Sequence, residues 1–123
     1  MSNFSDNAVS ITWSIFQTRP PKEGVTRELS SSPSTLRFDR NDCILSVRLE
    51  AHEISCQITS ENRTGFPKPI NPRVFKVGGG RDRPEIVGTD GEERTPEQAF
   101  DYLMDWFYDA SQTPIVERRF ERR

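Results

Sequence analysis

Residues 36–58 alternate between apolar and polar side chains, and this alternation constrains the fold more strongly than any other feature of the sequence. A period of two places successive side chains on opposite faces of a strand, so one face of each strand is apolar and buried. A cluster of turn-forming residues at 39–42 and the short segment 51–53 interrupt the alternation. The stretch therefore predicts three consecutive antiparallel strands joined by two hairpins.

The apolar positions predict the register of both hairpins if four-residue turns close them. Every cross-strand pair is then apolar. A register shifted by one residue would instead turn the apolar side chains of one strand to the opposite face of the sheet. Cys43 and Cys56 lie on neighbouring strands about 13 Å apart along the strand direction, too far for a disulfide, so both thiols are expected to be reduced. The predicted pairs are Phe38 with Cys43, Leu36 with Leu45, Leu49 with Ile54, Val47 with Cys56, and Leu45 with Ile58.

Outside this stretch the pattern is less regular. A period of two predicts a strand over residues 8–17, where β-branched and aromatic side chains alternate with mostly polar ones. The Pro-, Gly- and Ser-rich segment 18–34 predicts a long loop, with or without a short extended piece at 25–29, and a second irregular connection is expected at 60–72. The remaining candidates for short strands are 73–77, 86–87 and 115–116.

A helix is predicted to begin after Thr95, because three features of a helix start coincide there. Thr95 serves as the N-terminal cap, Pro96 occupies the first helical position and Gln98 completes a capping box. Apolar side chains then recur with helical spacing and acidic ones line another side, so the helix is amphipathic and extends to about Ser111. The apolar positions are Phe100, Leu103, Met104 and Phe107.

Strands followed by one helix place the chain in the α+β class. We expect an antiparallel curved sheet or partly open barrel of five to six strands, with one C-terminal amphipathic helix covering one side. The length of 123 residues fits a single domain over 1–123, with flexible ends at 1–7 and 117–123 and the long loop at 18–34.

Several classes of function lack their characteristic residues. No apolar run approaches the length that a membrane-spanning helix needs, and residues 1–7 contain neither the basic nor the apolar segment of a secretory signal. The single histidine, His52, falls at a hairpin tip, where a catalytic site could not exclude water. One histidine and two separated cysteines are too few ligands for a zinc site. We therefore expect a cytoplasmic protein with no membrane association, no catalytic activity, no metal site and no cofactor.

Acidic charge is concentrated near the predicted helix, although the formal net charge of the chain is only -2. Residues 85–113 carry eight acidic side chains and one basic one, and three aspartates spaced four residues apart form a stripe along the helix. The aromatic side chains that lie near these aspartates in the sequence do not all fit on the narrow apolar side of the helix. Aromatic area is therefore expected at the surface, unless the sheet curls around the helix and buries Trp106 outright.

This combination favours a protein-binding role. Tyr, Trp and Arg are enriched at binding hot spots, and an acidic rim suits a partner with a basic surface. The leading hypothesis is a non-catalytic protein-binding module, such as an inhibitor, an immunity-type protein or an adaptor. Its candidate partner-binding residues are Asp101, Tyr102, Asp105, Trp106 and Asp109.

Residues 60–84 have the opposite charge, with six basic side chains and two acidic ones. Cations interleaved with Phe66 and Phe75, and a glycine run at 78–80 after a strand, are features of anion and single-stranded nucleic-acid sites. The glycine run lacks the Gly-Lys-Ser/Thr ending of a P-loop, and Phe75 suits a core equally well. The alternative hypothesis is an anion- or nucleic-acid-binding domain that uses the basic segment 63–83. Its candidate residues are Arg73, Lys76, Arg81 and Arg83.

Overall fold

The computed structural model describes residues 4–28, 32–60, 70–80 and 82–112, with side chains from Ala8 onward. Within those residues the chain forms two helices and seven strands, so the predicted α+β class with an antiparallel sheet and a C-terminal helix is confirmed. The structure adds an N-terminal helix to the one helix predicted, and one strand to the upper prediction of six. The elements are α1 (Phe4–Thr18), β1 (Thr26–Glu28), β2 (Thr35–Arg40), β3 (Cys43–Glu50), β4 (Glu53–Ser60), β5 (Arg73–Gly79), β6 (Pro84–Val87), β7 (Glu93–Arg94) and α2 (Pro96–Gln112).

The strands follow one another across the sheet in chain order from β1 to β7, and all neighbours are antiparallel. Such a meander needs only hairpin-type connections, which suits the turn signals in the sequence. The predicted register of the β3–β4 hairpin is confirmed at all three pairs. These are Leu49 with Ile54, Val47 with Cys56, and Leu45 with Ile58.

In the β2–β3 hairpin the predicted register is wrong by two residues, because Phe38 faces Leu45 instead of Cys43. The turn holds two residues, Asn41 and Asp42, and not four. Both have positive φ, 54° and 64°, as a two-residue type I′ turn requires. A shift of two residues keeps every side chain on its original face, so the apolar face of the sheet is preserved.

Residues 8–17 belong to helix α1, so the prediction of a strand there is wrong. The buried positions Ala8, Thr12, Trp13 and Phe16 follow a helical spacing, and Phe16 is the large apolar residue that breaks the period of two. α1 packs across β5 and β6, and the Trp13 indole N–H donates to the carbonyl of Pro33 at 2.8 Å. The apolar surface that stabilises α1 comes from β5 and β6, which are distant in the sequence. The local pattern of residues 8–17 therefore does not predict the helix.

Helix α2 begins as predicted. The Gln98 N–H donates to Thr95 Oγ1 at 3.2 Å, and the Thr95 N–H donates to Gln98 Oε1 at 3.0 Å, which is a complete capping box. The helix ends at Gln112, one residue after the predicted end. Its buried residues are Pro96, Ala99, Phe100, Leu103, Met104, Phe107 and Ser111.

One face of the sheet packs against both helices and forms the core. Phe16 of α1 lies 5.5 Å from Phe100 of α2 and 6.4 Å from Phe75 of β5, measured between ring centroids. The predicted free thiols, Cys43 and Cys56, are buried on the same face, and burial raises the pKa of both. The outer side of α2 therefore remains available at the surface, since its inner side is committed to this core.

The predicted loop at 18–34 and the predicted flexible ends are only partly covered by the described residues. The loop predicted at 18–34 contains strand β1 at the expected short extended piece, and α1 begins at Phe4, inside the segment predicted to be a flexible end. The strand candidate at 115–116 and the flexible end at 117–123 lie outside the described residues, as does most of the connection at 60–72.

Replacing Thr12 by valine is expected to raise the free energy of unfolding by about 1 kcal/mol. The Thr12 side chain is fully buried, and its hydroxyl has no hydrogen-bond partner among the described residues. Valine keeps the shape and removes the unsatisfied polar atom. Equilibrium denaturation measures the change, and a lower free energy of unfolding for Thr12→Val would contradict an unsatisfied Thr12 hydroxyl.

Replacing Asp42 by glycine is also expected to stabilise the fold, by about 1 kcal/mol, since glycine adopts positive φ without steric cost. Asn-Gly is the preferred sequence of a type I′ turn. Asp42→Val is the opposing control, because a β-branched residue at φ 64° is strained. Denaturation midpoints check both variants. Destabilisation by Asp42→Gly would mean that the turn is not the two-residue turn described.

Candidate functional site

The five residues predicted to bind a partner lie along the outward side of α2. Asp101, Asp105 and Asp109 are exposed, whereas Tyr102 and Trp106 are half-buried. Trp106 is thus neither fully exposed nor buried outright. The aspartates at 101 and 105 border the segment that follows α1, and the two aromatic residues border β5 and β7.

The acidic border of α2 is paired with cations from the segment after α1. Arg19 donates from Nε and Nη2 to the two carboxylate oxygens of Asp101, both at 2.9 Å, and Lys22 Nζ donates to Asp105 at 3.0 Å. These hydrogen bonds raise the pKa of Arg19 and of Lys22. All four side chains are more than a third exposed, so the pairs add little stability and weaken with salt. The predicted acidic stripe is therefore partly neutralised within the chain.

The aromatic border of α2 carries four alternating side chains, which we call the arginine–aromatic ladder: Arg94, Tyr102, Arg73 and Trp106. The Arg94 guanidinium lies 4.1 Å from the Tyr102 ring centroid, and Arg73 lies 4.7 Å from that of Trp106. Arg73 Nε also donates to the Tyr102 hydroxyl at 3.2 Å. Each ring of this aromatic surface therefore packs against a guanidinium group that the sheet contributes.

The C-terminal end of α2 is anchored to the β2–β3 turn by hydrogen bonds and a cation–π contact. Arg40 stacks on Tyr108 at 4.0 Å, and its Nη1 donates to the buried hydroxyl of Ser111 at 2.8 Å. Asn41 Nδ2 donates to the Ser111 carbonyl at 3.2 Å. α2 has no basic residue of its own in its last turn, so Arg40 supplies the positive charge that favours a helix C-terminus.

A tight turn between β6 and β7 orients Arg94 over Tyr102. Arg94 donates to both carboxylate oxygens of Asp90, at 2.7 and 3.1 Å, and the Glu92 N–H donates to Asp90 at 3.0 Å. These bonds lower the pKa of Asp90 from 3.8 to about 2, and the hydrogen bond from Arg94 is the largest cause. Gly88 lies beneath the pair, and a Cβ there would lie 2.8 Å from Arg94 Nη1 and 3.0 Å from Asp90 Oδ1, so a larger residue would displace these side chains.

The basic segment of the alternative hypothesis does not form one surface in the described residues. Arg73 lies on the helix side of β5, whereas Lys76 is exposed on the opposite face of the sheet. Arg83 is exposed in the turn between β5 and β6, and Arg81 lies outside the described residues. The glycine run does not end β5 at residue 77, because the strand continues through Gly79.

A polar cavity of about 530 Å³ lies at the other end of the sheet, beside the edge strand β1. Two of its three carboxylates share one cation, since Arg37 lies 3.4 Å from Glu28 and 3.2 Å from Asp39. His52 lies exposed at the tip of the β3–β4 hairpin, as predicted. Among the described residues, no three His, Cys, Asp or Glu side chains are grouped to hold a metal ion. Neither helix, over the described ranges, has the length and apolar character needed to cross a bilayer.

Sequence reasoning identified the residues on α2 but missed the cations that cover them. Arg19 and Asp101 are 82 positions apart, and Arg40 and Ser111 are 71 apart, so local spacing contains no signal of either contact. The excess of aromatic residues on α2 was the one indication that further side chains must pack there.

Three comparisons with known proteins were made for the whole chain. A scan against protein-family models, a search of curated proteins and a search of solved structures found no match.

The Asp90–Arg94 pair predicts an acid-sensitive contribution to stability. A carboxyl group with a lowered pKa in the folded state stabilises the fold above its ordinary pKa, and the contribution is lost as the pH falls from 3.8 towards 2. Asp90→Asn is therefore expected to lower the unfolding temperature at neutral pH but to differ little from the wild type near pH 2. Thermal unfolding across this range tests it. A difference that stays constant with pH contradicts a role for the Asp90 charge.

Proposed function

We propose that this protein is a non-catalytic, cytoplasmic protein-binding module that docks a partner through the outward side of α2. The class includes inhibitors, immunity-type proteins and adaptors. The partner is a protein with a basic surface, which contacts the exposed aspartates while its apolar or aromatic side chains cover Tyr102 and Trp106.

The arginine–aromatic ladder is the observation that supports this proposal. Trp, Tyr and Arg are the residue types most enriched at binding hot spots, and all three occur here side by side and half-exposed. Because the rings are already held by stacked guanidinium groups, binding loses little side-chain entropy. The surrounding acidic residues favour encounter with a basic partner.

The pairing of Asp101 and Asp105 refines this picture. A basic partner competes with Arg19 and Lys22 for the same carboxylates, so the acidic border contributes to encounter and specificity more than to affinity. Asp109 lies beside them on the same exposed side of α2. The main source of affinity is then the aromatic border.

The alternative hypothesis, an anion- or nucleic-acid-binding domain that uses residues 63–83, has less support, since Arg73 and Lys76 lie on opposite faces of the sheet. Nucleic-acid binding requires several cations along one surface, and its affinity falls steeply with salt. Retention on single-stranded oligonucleotides at low salt, lost on substitution of Arg83 and Arg81, would favour that alternative over docking through α2.

The combined variant Trp106→Ala with Asp105→Lys is expected to weaken partner capture about tenfold or more, because it removes a hot-spot ring and reverses one charge of the acidic border. Wild-type and variant proteins are immobilised, partners from native lysate are identified by mass spectrometry, and affinities are measured with the purified partner. Raising the salt concentration should weaken the wild-type complex.

The matched control is Glu53→Lys, which makes the same charge reversal at an exposed position on β4. This control should bind as the wild type does. Fluorescence of the buried Trp13 reports whether each variant is folded. Equal affinity of the folded combined variant and the wild type would show that the partner does not dock on this side of α2.

A further inference from the structure

Two cations around α2, Arg40 and Arg73, contact no carboxylate among the described residues. Arg40 lies at the C-terminus of α2, where the helix dipole favours a positive charge, whereas Arg73 has no such compensation. Arg19, Lys22 and Arg94 each contact a carboxylate, at 2.9, 3.0 and 2.7 Å. Arg73 donates instead to two neutral oxygens, the Tyr102 hydroxyl at 3.2 Å and the Asn71 carbonyl at 3.1 Å. It makes no ion pair with any described residue.

The groups around Arg73 are hydrogen-bond donors. The Tyr102 hydroxyl accepts from Arg73, which leaves its own proton to donate. The Trp106 ring lies against the guanidinium at 4.7 Å, and its indole N–H has no hydrogen-bond partner in the described part of the chain. A guanidinium has five N–H donors, and Arg73 uses one each from Nε and Nη1, so the remaining donors of this group are unused.

The charge of this cluster fits a singly charged acceptor. One uncompensated guanidinium matches one carboxylate, and the planar fork of arginine binds carboxylates through two parallel hydrogen bonds. A doubly charged phosphate fits less well, because one guanidinium compensates only one of its two charges.

We propose that Arg73, Tyr102 and Trp106 form a carboxylate-binding site for one Asp or Glu side chain of the docked protein partner. This inference rests on the proposed function and adds to it a chemical requirement: the partner's basic surface contains an acidic residue that contacts Arg73. The stacked ring of Trp106 shields the ion pair from water and strengthens it.

Two tryptophans make the site directly observable, since the chain contains only Trp13 and Trp106. Their indole N–H signals are followed by NMR during titration with acetyl-Gly-Glu-Gly-amide into the millimolar range at constant ionic strength. The isosteric acetyl-Gly-Gln-Gly-amide is the matched neutral probe. The Glu peptide should shift the Trp106 signal saturably, the Gln peptide should not, and the buried Trp13 signal should stay in place.

Arg73→Gln is expected to weaken binding of the Glu peptide about tenfold or more, since a charge-assisted hydrogen-bonded pair is lost. Lys76→Gln removes a cation of the same strand on the opposite face of the sheet and should leave binding unchanged. Arg73→Lys keeps the charge without the planar fork and should bind with intermediate affinity. An unmoved Trp13 signal in each variant confirms that the fold is intact.

Three results would overturn the inference: no saturable shift of Trp106, an equal shift with the Gln peptide, or binding retained by Arg73→Gln. These results are distinguishable from failure of the proposed function. If Trp106→Ala with Asp105→Lys abolishes partner capture while Arg73→Gln captures the partner normally, docking through α2 stands and the carboxylate site does not.

Discussion

The structure depends on a cluster of four buried phenylalanine rings that joins elements distant in sequence. Phe16 of α1 contacts Phe75 of β5 and Phe100 of α2, and Phe100 contacts Phe38 of β2 at 6.0 Å. Edge-to-face packing of such large rings provides both burial and a defined geometry. Because both helices are anchored through this cluster to one face of the sheet, the opposite side of α2 is the side exposed to solvent.

Arg27 extends this cluster to the edge of the sheet. Its guanidinium lies over Phe38 at 5.2 Å and over Phe100 at 5.7 Å, and donates to the carbonyls of Phe16 and Arg19 at the end of α1. Burial lowers the pKa of Arg27, yet these contacts retain the charge where the helix C-terminus favours it. Strand β1 and the end of α1 are thereby held together, which places Arg19 within reach of Asp101.

The outward side of α2 is consequently a composite surface. Its acidic and aromatic residues are local in sequence, but the cations that contact them come from the segment after α1 and from β2, β5 and β7. Three of these cations contact carboxylates, Arg40 lies against the C-terminus of α2, and Arg73 contacts no carboxylate among the described residues.

By itself the sequence determined the features that depend on neighbouring residues: the alternating faces of β3 and β4, their register, and the capping box that begins α2 at Thr95. Tertiary structure decided the rest. Residues 8–17 are helical because β5 and β6 cover Phe16, which local alternation does not specify. Likewise, Arg73 and Arg94 stack on residues of α2 that are distant from them in the sequence. Only the packing of the sheet and helices determines which of these arginines contacts a carboxylate.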